Sequence, residues 1–92
     1  MSGGHFQYQQ HSIMDIAEDI ERIIEANDDT TLNEWGETVG RGYSPEVIAK
    51  LKEGVGILKT AFVYAHRIDW LLSDDDGEES FLERLEEELK EI

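Results

Sequence analysis

The sequence has no cysteine, a single proline, and only 8 lysines and arginines among its 92 residues. Without cysteine, neither a disulfide framework nor a thiolate metal site can form, which suits a reducing cytoplasm. The longest mostly apolar stretch, residues 57–65, is interrupted by Lys59 and Thr60 and is far shorter than the ~20 residues of a membrane span. The first residues lack a basic region followed by an apolar stretch, so we expect no signal peptide. Together these absences predict a cytoplasmic protein that does not enter a membrane.

Acidic residues dominate the charge. The 22 aspartates and glutamates give the chain a formal net charge of −14. Such a field repels nucleic acid and anionic membranes and favours cationic partners. Residues 1–39 and residues 70–92 each carry a net −8, whereas residues 40–69 carry a net +2. We therefore expect one basic element among acidic ones, with no direct binding to nucleic acid.

Apolar residues recur at helical spacing, which predicts an all-α fold in one domain. Residues 1–11 form a polar lead that is either a terminal tail or docked on the body, and residues 12–92 form a single helical domain. Ser12 is the predicted N-cap of a first amphipathic helix. Thr31 begins a capping box that predicts a short second helix ending near Gly40.

The clearest helix start is Ser44-Pro45, which predicts a long helix running to about Leu72. Gly54 and Gly56 are costly within a helix and suggest a close helix crossing or a kink, of which the crossing is the favoured reason. A last helix follows the acidic turn at residues 73–77, so we expect a small bundle of three to four helices built on one long central helix. Eight apolar or small residues of the long helix follow one another at alternating steps of four and three. We call this row the seam: Val47, Leu51, Gly54, Leu58, Ala61, Ala65, Ile68 and Leu72. Its spacing predicts a homo-oligomer in which the long helix meets another copy of itself.

Basic residues of the long helix share one direction. Lys52, Lys59 and His66 are spaced by seven, which on an ideal helix drifts only ~20° per step. These cations either pair with the acidic helices or form a strip that binds an anionic small ligand, with an aromatic side chain stacking on it. The predicted ligand-binding set is Lys52, Lys59, Tyr64, His66, Arg67 and Trp70.

The sequence offers little for catalysis or metal binding. The three histidines have no zinc-type spacing. Residues 72–83 partly match a calcium-binding loop, but Leu72 stands where the first ligand is required. No nucleophile, metal or glycine-rich phosphate loop accompanies His66 and Asp69, so we expect no enzyme activity, no metal and no cofactor.

Asp69 lies close to the seam and requires a buried partner. We expect a structural polar network in which the partner comes from the N-terminal lead, with His5 and Tyr8 as the candidates.

Three segments carry a resemblance to a known group of proteins: residues 1–6 (Met-Ser-Gly-Gly-His-Phe), residues 43–46 (Tyr-Ser-Pro-Glu) and residues 67–81, which begin Arg-Ile-Asp-Trp-Leu-Leu-Ser. The chain resembles a family of small uncharacterised bacterial and phage or prophage proteins. This chain has Gln7 and Asp74 where typical members have aspartate and glycine. The resemblance implies a small helical protein in a phage-type setting and brings no activity with it.

Two functions remain open from the sequence. In the first, a phage-type binding protein sequesters an anionic small molecule, such as a nucleotide signal of the host, as a counter-defence. In the second, the acidic helices block a basic surface of a host protein, as an interaction inhibitor or a nucleic-acid mimic. Both functions place the protein in the cytoplasm of the host cell.

Overall fold

A computed structural model describes residues 4–92 of the chain. It consists of the helices α1 (His11–Glu25), α2 (Pro45–Leu72) and α3 (Glu78–Lys90). Within this range no strand forms, and the only β-type pairing is an isolated bridge between Leu32 and Thr38. The all-helical class predicted from the sequence is confirmed. Residues 1–3 of the predicted lead lie outside the described residues.

The helices form a thin, elongated arrangement of 53 × 25 × 14 Å. α2 packs against both α1 and α3, while α1 and α3 make no close contact with each other within residues 4–92. The buried hydrophobic residues of this range are few and small: Ala17, Val55 and Val63. Because α1 and α3 stay apart, an open groove runs over α2 between them. None of these helices combines the length and apolar character that a membrane crossing requires.

α2 begins where the sequence predicted. Ser44 is its N-cap, and the Ser44 hydroxyl accepts a hydrogen bond from the Val47 amide at 3.3 Å. Pro45 occupies the first helical position, where its missing N–H costs no hydrogen bond. Glu46 adds a negative charge near the positive end of the helix dipole. This start depends on neighbouring residues alone, which makes it readable from the sequence.

The predicted cap of α1 is wrong. The helix starts at His11 after Gln10 and has no side-chain cap, so Ser12 lies inside its first turn. The chain enters the helix through hydrogen-bonded turns, in which the His11 amide donates to the Tyr8 carbonyl at 3.2 Å. These turns already supply partners at the helix start, which makes a cap at Ser12 unnecessary.

The short second helix predicted from Thr31 is not formed. Residues 26–44 instead make a loop that turns back on itself, with the Asn33 amide donating to the Glu37 carbonyl at 2.7 Å. Leu32 and Trp35, which were to form the apolar face of that helix, are 63% and 76% exposed. A short helix needs a surface on which to bury its apolar face, and this segment has none.

The close helix crossing predicted at Gly54 and Gly56 is absent from residues 4–92. A Cβ atom added to either glycine would meet nothing within 4 Å. Neither glycine is therefore explained by packing within one copy of the chain.

Candidate functional site

A groove runs over α2 between the two helices that flank it. Its floor is apolar and consists of residues of α2, among them Val55, Phe62 and Val63. Met14 lines the side formed by α1, and Ile92, just beyond α3, lines the other side. The volume is about 570 Å³, which lies within the usual range for small-molecule sites.

Two of the predicted ligand-binding lysines line this groove together. Lys52 and Lys59 are seven residues apart on α2, so they project in nearly the same direction. The Lys59 ammonium lies 2.8 Å from a carboxylate oxygen of Glu21 on α1. Lys52 is exposed and has no ion pair within the described range. Glu88 and Glu91 also line the groove, so it offers both cations and anions.

Arg67, another predicted ligand contact, is buried at the junction of α2 and α3. Its guanidinium lies 3.8 Å from Asp76 and 3.5 Å from Glu88. Asp76 is buried as well and lies 3.5 Å from Arg84. The Arg67 guanidinium also stands 4.8 Å from the centre of the Trp70 ring. Arg67 therefore joins the two helices and is not a free cation for a ligand.

His66 and Trp70 belong to an aromatic cluster next to the groove. The His66 ring stacks on Phe62 with ring centres 5.4 Å apart, and it also contacts His11 and Trp70 at 5.7 and 5.9 Å. Burial lowers the pKa of His66, and the nearby charges of Arg67 and His11 lower it further, against weaker opposite effects of Glu88 and Asp69. The neutral ring is therefore favoured, and His66 contributes a surface for stacking rather than a positive charge.

Tyr64, the remaining predicted contact, is remote from the groove. It is 43% exposed. Nine residues separate it from Val55, which places it on the opposite side of an ideal helix. Within one copy of the chain, then, the groove holds Lys52 and Lys59, the cluster beside it holds His66 and Trp70, and Arg67 and Tyr64 lie elsewhere.

Asp69 anchors the N-terminal lead to α2. It is 1% exposed, and its carboxylate accepts hydrogen bonds from the amides of Phe6 at 2.8 Å and Gly4 at 2.9 Å and from the Gln10 side chain at 3.2 Å. Burial alone raises the pKa of Asp69, but these hydrogen bonds outweigh it, so the pKa lies below the ordinary value of 3.8. The partner of Asp69 thus comes from the lead.

The two residues expected to pair with Asp69 have other contacts. The side chains of His5 and Tyr8 are not among the hydrogen-bond partners of Asp69 in residues 4–92, although the main-chain amide of His5 helps to lower the pKa of Asp69. The His5 amide donates to the Ser73 hydroxyl at 3.0 Å, and the Tyr8 ring stacks on His11. Gln10, which does bond Asp69, carried no signal in the sequence because a lone polar residue before a helix is ordinary.

The described residues contain no group of three or more histidine or acidic side chains placed to hold a metal ion. In the acidic turn, Asp76 is directed at two arginines rather than at an open cavity. Comparison of the chain with models of protein families, with curated proteins and with solved structures found no match. Its function is therefore inferred from the geometry of its own residues.

Proposed function

We propose that this chain is a non-enzymatic binding protein that sequesters a small anionic molecule, such as a nucleotide signal of a host cell, in the groove over α2. The observation that carries the proposal is the placement of Lys52 and Lys59 together beside an apolar floor. Two ammonium groups on one side match a phosphate, and the apolar floor matches a flat ring.

The mixed charge of the groove also fits a nucleotide. Glu88 and Glu91 lie in the same groove as the lysines, and their carboxylates can accept hydrogen bonds from the amino groups of a base. A purely anionic ligand would be repelled by these two residues, whereas a nucleotide carries donors as well as phosphate. The groove therefore favours a ligand with both an anionic end and a ring that bears N–H groups.

The ion pair between Lys59 and Glu21 opposes ligand binding only weakly. Its side chain and that of Glu21 are both more than one-third exposed, and exposed ion pairs contribute only about 0–1 kcal/mol. A phosphate with nearly two negative charges can replace the Glu21 carboxylate at modest cost. Binding would then release Glu21 on α1 toward solvent.

The test is isothermal titration calorimetry with purified nucleotides: mononucleotides, cyclic mononucleotides and cyclic dinucleotides. The double variant Lys52→Ala/Lys59→Ala is expected to bind the preferred nucleotide at least ~100-fold more weakly, given two lost charge-assisted contacts. The matched control is Lys50→Ala, since Lys50 is an exposed lysine of the same helix that pairs with Glu53 and does not line the groove.

Two outcomes would contradict the proposal. One is wild-type protein that binds none of these nucleotides and carries no extra mass in native mass spectrometry after gentle purification from bacteria. The other is an equal loss of affinity in Lys50→Ala, which would mean that total charge matters and the groove does not.

The sequence suggested a biological setting for this binding protein and its association with further copies of itself. In that setting, a phage-type protein acts in the cytoplasm of a host bacterium and removes a signal of the host. It acts there as a homo-oligomer, as the apolar seam of α2 suggests.

A second candidate function draws on the outer face of α3. Glu79, Glu83 and Glu87 follow one another at intervals of four, are exposed, and have no ion-pair partner within residues 4–92. This acidic row would cover a basic surface of a host protein, as an inhibitor or nucleic-acid mimic. Binding to such a partner should weaken steeply with salt, and changing the three glutamates to glutamine should weaken it while leaving nucleotide binding in the groove unchanged.

A further inference from the structure

The seam on α2 is only partly covered within one copy of the chain. None of its eight residues is buried: Val47, Ala61 and Leu72 are exposed, and the other five are half-buried. The exposed fractions of Val47 and Leu72, near the two ends of the helix, are 41% and 49%. A continuous apolar row of this kind, without a charged residue in it, is characteristic of a helix that packs on another helix.

Neither neighbouring helix is long enough to cover the seam. α2 has 28 residues, whereas α1 has 15 and α3 has 13. Gly54 lies within the seam, and a Cβ atom there would meet nothing in 4 Å. Glycine at this position costs roughly 1 kcal/mol relative to alanine. A helix from outside this chain that approaches closely at Gly54 would account for it.

The distribution of charge favours a second copy on the seam over a second copy on α1 or α3. α1 and α3 each carry a net −4, whereas α2 carries four basic and three acidic side chains and a net +1. Two copies that met through α1 or α3 would bring like charges together, which is destabilising. Two copies that meet through α2 avoid this repulsion and keep the acidic helices apart.

We infer that the seam is the surface through which a second copy of this chain docks, seam against seam, with Gly54 and Ala61 at the points of close approach. The inference rests on the self-association included in the proposed function and is independent of what the groove binds. Lys52 and Lys59 lie outside the seam, so docking leaves the groove open in both copies.

The test is the mass of the purified protein by sedimentation velocity over a range of concentrations. The wild-type chain of 10.5 kDa is expected to sediment as a dimer or larger assembly. Ala61→Glu places a charge in the seam and is expected to weaken association at least ~100-fold, since a buried unpaired charge is costly.

The matched control is Ala49→Glu. Ala49 and Ala61 are both exposed alanines of α2, but Ala49 lies about 150° around the helix from the middle of the seam. Both variants should fold, because neither position is buried in the single chain, and far-UV circular dichroism checks this. Ala49→Glu is expected to associate like the wild type.

The inference is overturned if the wild-type chain is monomeric at ~100 µM, a concentration at which an interface of even micromolar affinity would be filled. It is also overturned if Ala61→Glu associates like the wild type, or if Ala49→Glu dissociates to the same degree. Nucleotide titration of Ala61→Glu distinguishes failure of the interface from failure of the groove. A monomeric variant that still binds nucleotide retains the proposed binding function without the interface.

Discussion

Asp69 shows how a single buried carboxylate can hold a terminal segment in place. Its two oxygens accept three hydrogen bonds, two of them from main-chain amides of the lead. Those amides have few other partners available, since the lead before α1 consists of turns. The lead is therefore held by this side chain of α2, together with the Ser73 hydroxyl that accepts from the His5 amide.

Replacement of Asp69 by asparagine is expected to lower the free energy of unfolding by about 2–4 kcal/mol, because the new amide group cannot accept from both Gly4 and Phe6. Since the folded pKa lies below 3.8, the contribution is complete at neutral pH and is lost as the pH falls through the folded pKa. Urea unfolding at pH 7 measures this change in the free energy of unfolding. The exposed Glu87→Gln serves as the control and should change stability by less than ~0.5 kcal/mol.

His66 gives the protein a second dependence on pH. Its pKa in the folded chain is below the ordinary value of 6.5, so the unfolded chain takes up a proton at a higher pH than the folded chain does. Stability is therefore complete above about pH 6.5, falls as the pH drops through that value, and levels off below the folded pKa. Unfolding of His66→Phe should lose this part of the pH dependence between pH 7 and 5. An unchanged slope in that variant would assign the effect to other groups.

Among the elements, the loop of residues 26–44 is the part in which the structure differs most from the prediction made from the sequence. It is held by Asn27, whose buried side chain bonds both the amide and the carbonyl of Tyr43, at 2.8 and 3.0 Å. Gly40 lies directly against the main chain of residues 26–29, and its amide donates to the Asp29 carbonyl at 2.9 Å. The loop is thus closed by contacts between residues that are 11 to 16 positions apart.

Gly40→Ala is expected to destabilise the chain by about 2 kcal/mol or more, because its Cβ would overlap the main-chain oxygens of Ala26, Asn27 and Asp29. Gly56→Ala is the contrasting change. Its Cβ would meet nothing within 4 Å, so the gain in helix propensity should raise stability by up to ~1 kcal/mol. Thermal unfolding of the two variants measures both changes in stability. A tolerated Gly40→Ala would mean that the loop is not packed as described.

The elements that were predictable are those set by local chemistry. The start of α2 follows from Ser44 and Pro45, and the shared direction of Lys52 and Lys59 follows from helical periodicity alone. The loop could not be predicted, because Thr31 and Glu34 satisfy the local rule for a helix start. The contacts of Asn27 and Gly40 that close the loop join residues 11 to 16 positions apart and leave no local signal. The burial of Arg67 was equally hidden, since it depends on where α3 places Asp76 and Glu88.

At the scale of the whole molecule, the dominant feature is the net charge of −14 on a body only 14 Å thick. Salt acts on such a molecule in two opposite ways. It weakens the ion pairs, among which Arg22–Asp19, Lys50–Glu53 and Lys90–Glu86 are exposed and contribute little individually. It also screens the repulsion between the many unpaired carboxylates of α1 and α3. This repulsion acts over distances greater than the ~10 Å Debye length at 0.1 M salt, so salt weakens it strongly.

We expect the second effect to prevail, because the unpaired carboxylates outnumber the exposed ion pairs and their repulsion adds up over the molecule. Raising sodium chloride from ~10 mM to ~300 mM should increase the midpoint of thermal unfolding by about 4–8 °C, which corresponds to roughly 1 kcal/mol for a domain of this size. The triple variant Glu79→Gln/Glu83→Gln/Glu87→Gln, measured at the same protein concentration, should start from a higher midpoint and gain less from salt. A midpoint that falls with salt would show instead that the ion pairs, above all those of Arg67 with Asp76 and Glu88, contribute more to stability than the repulsion removes.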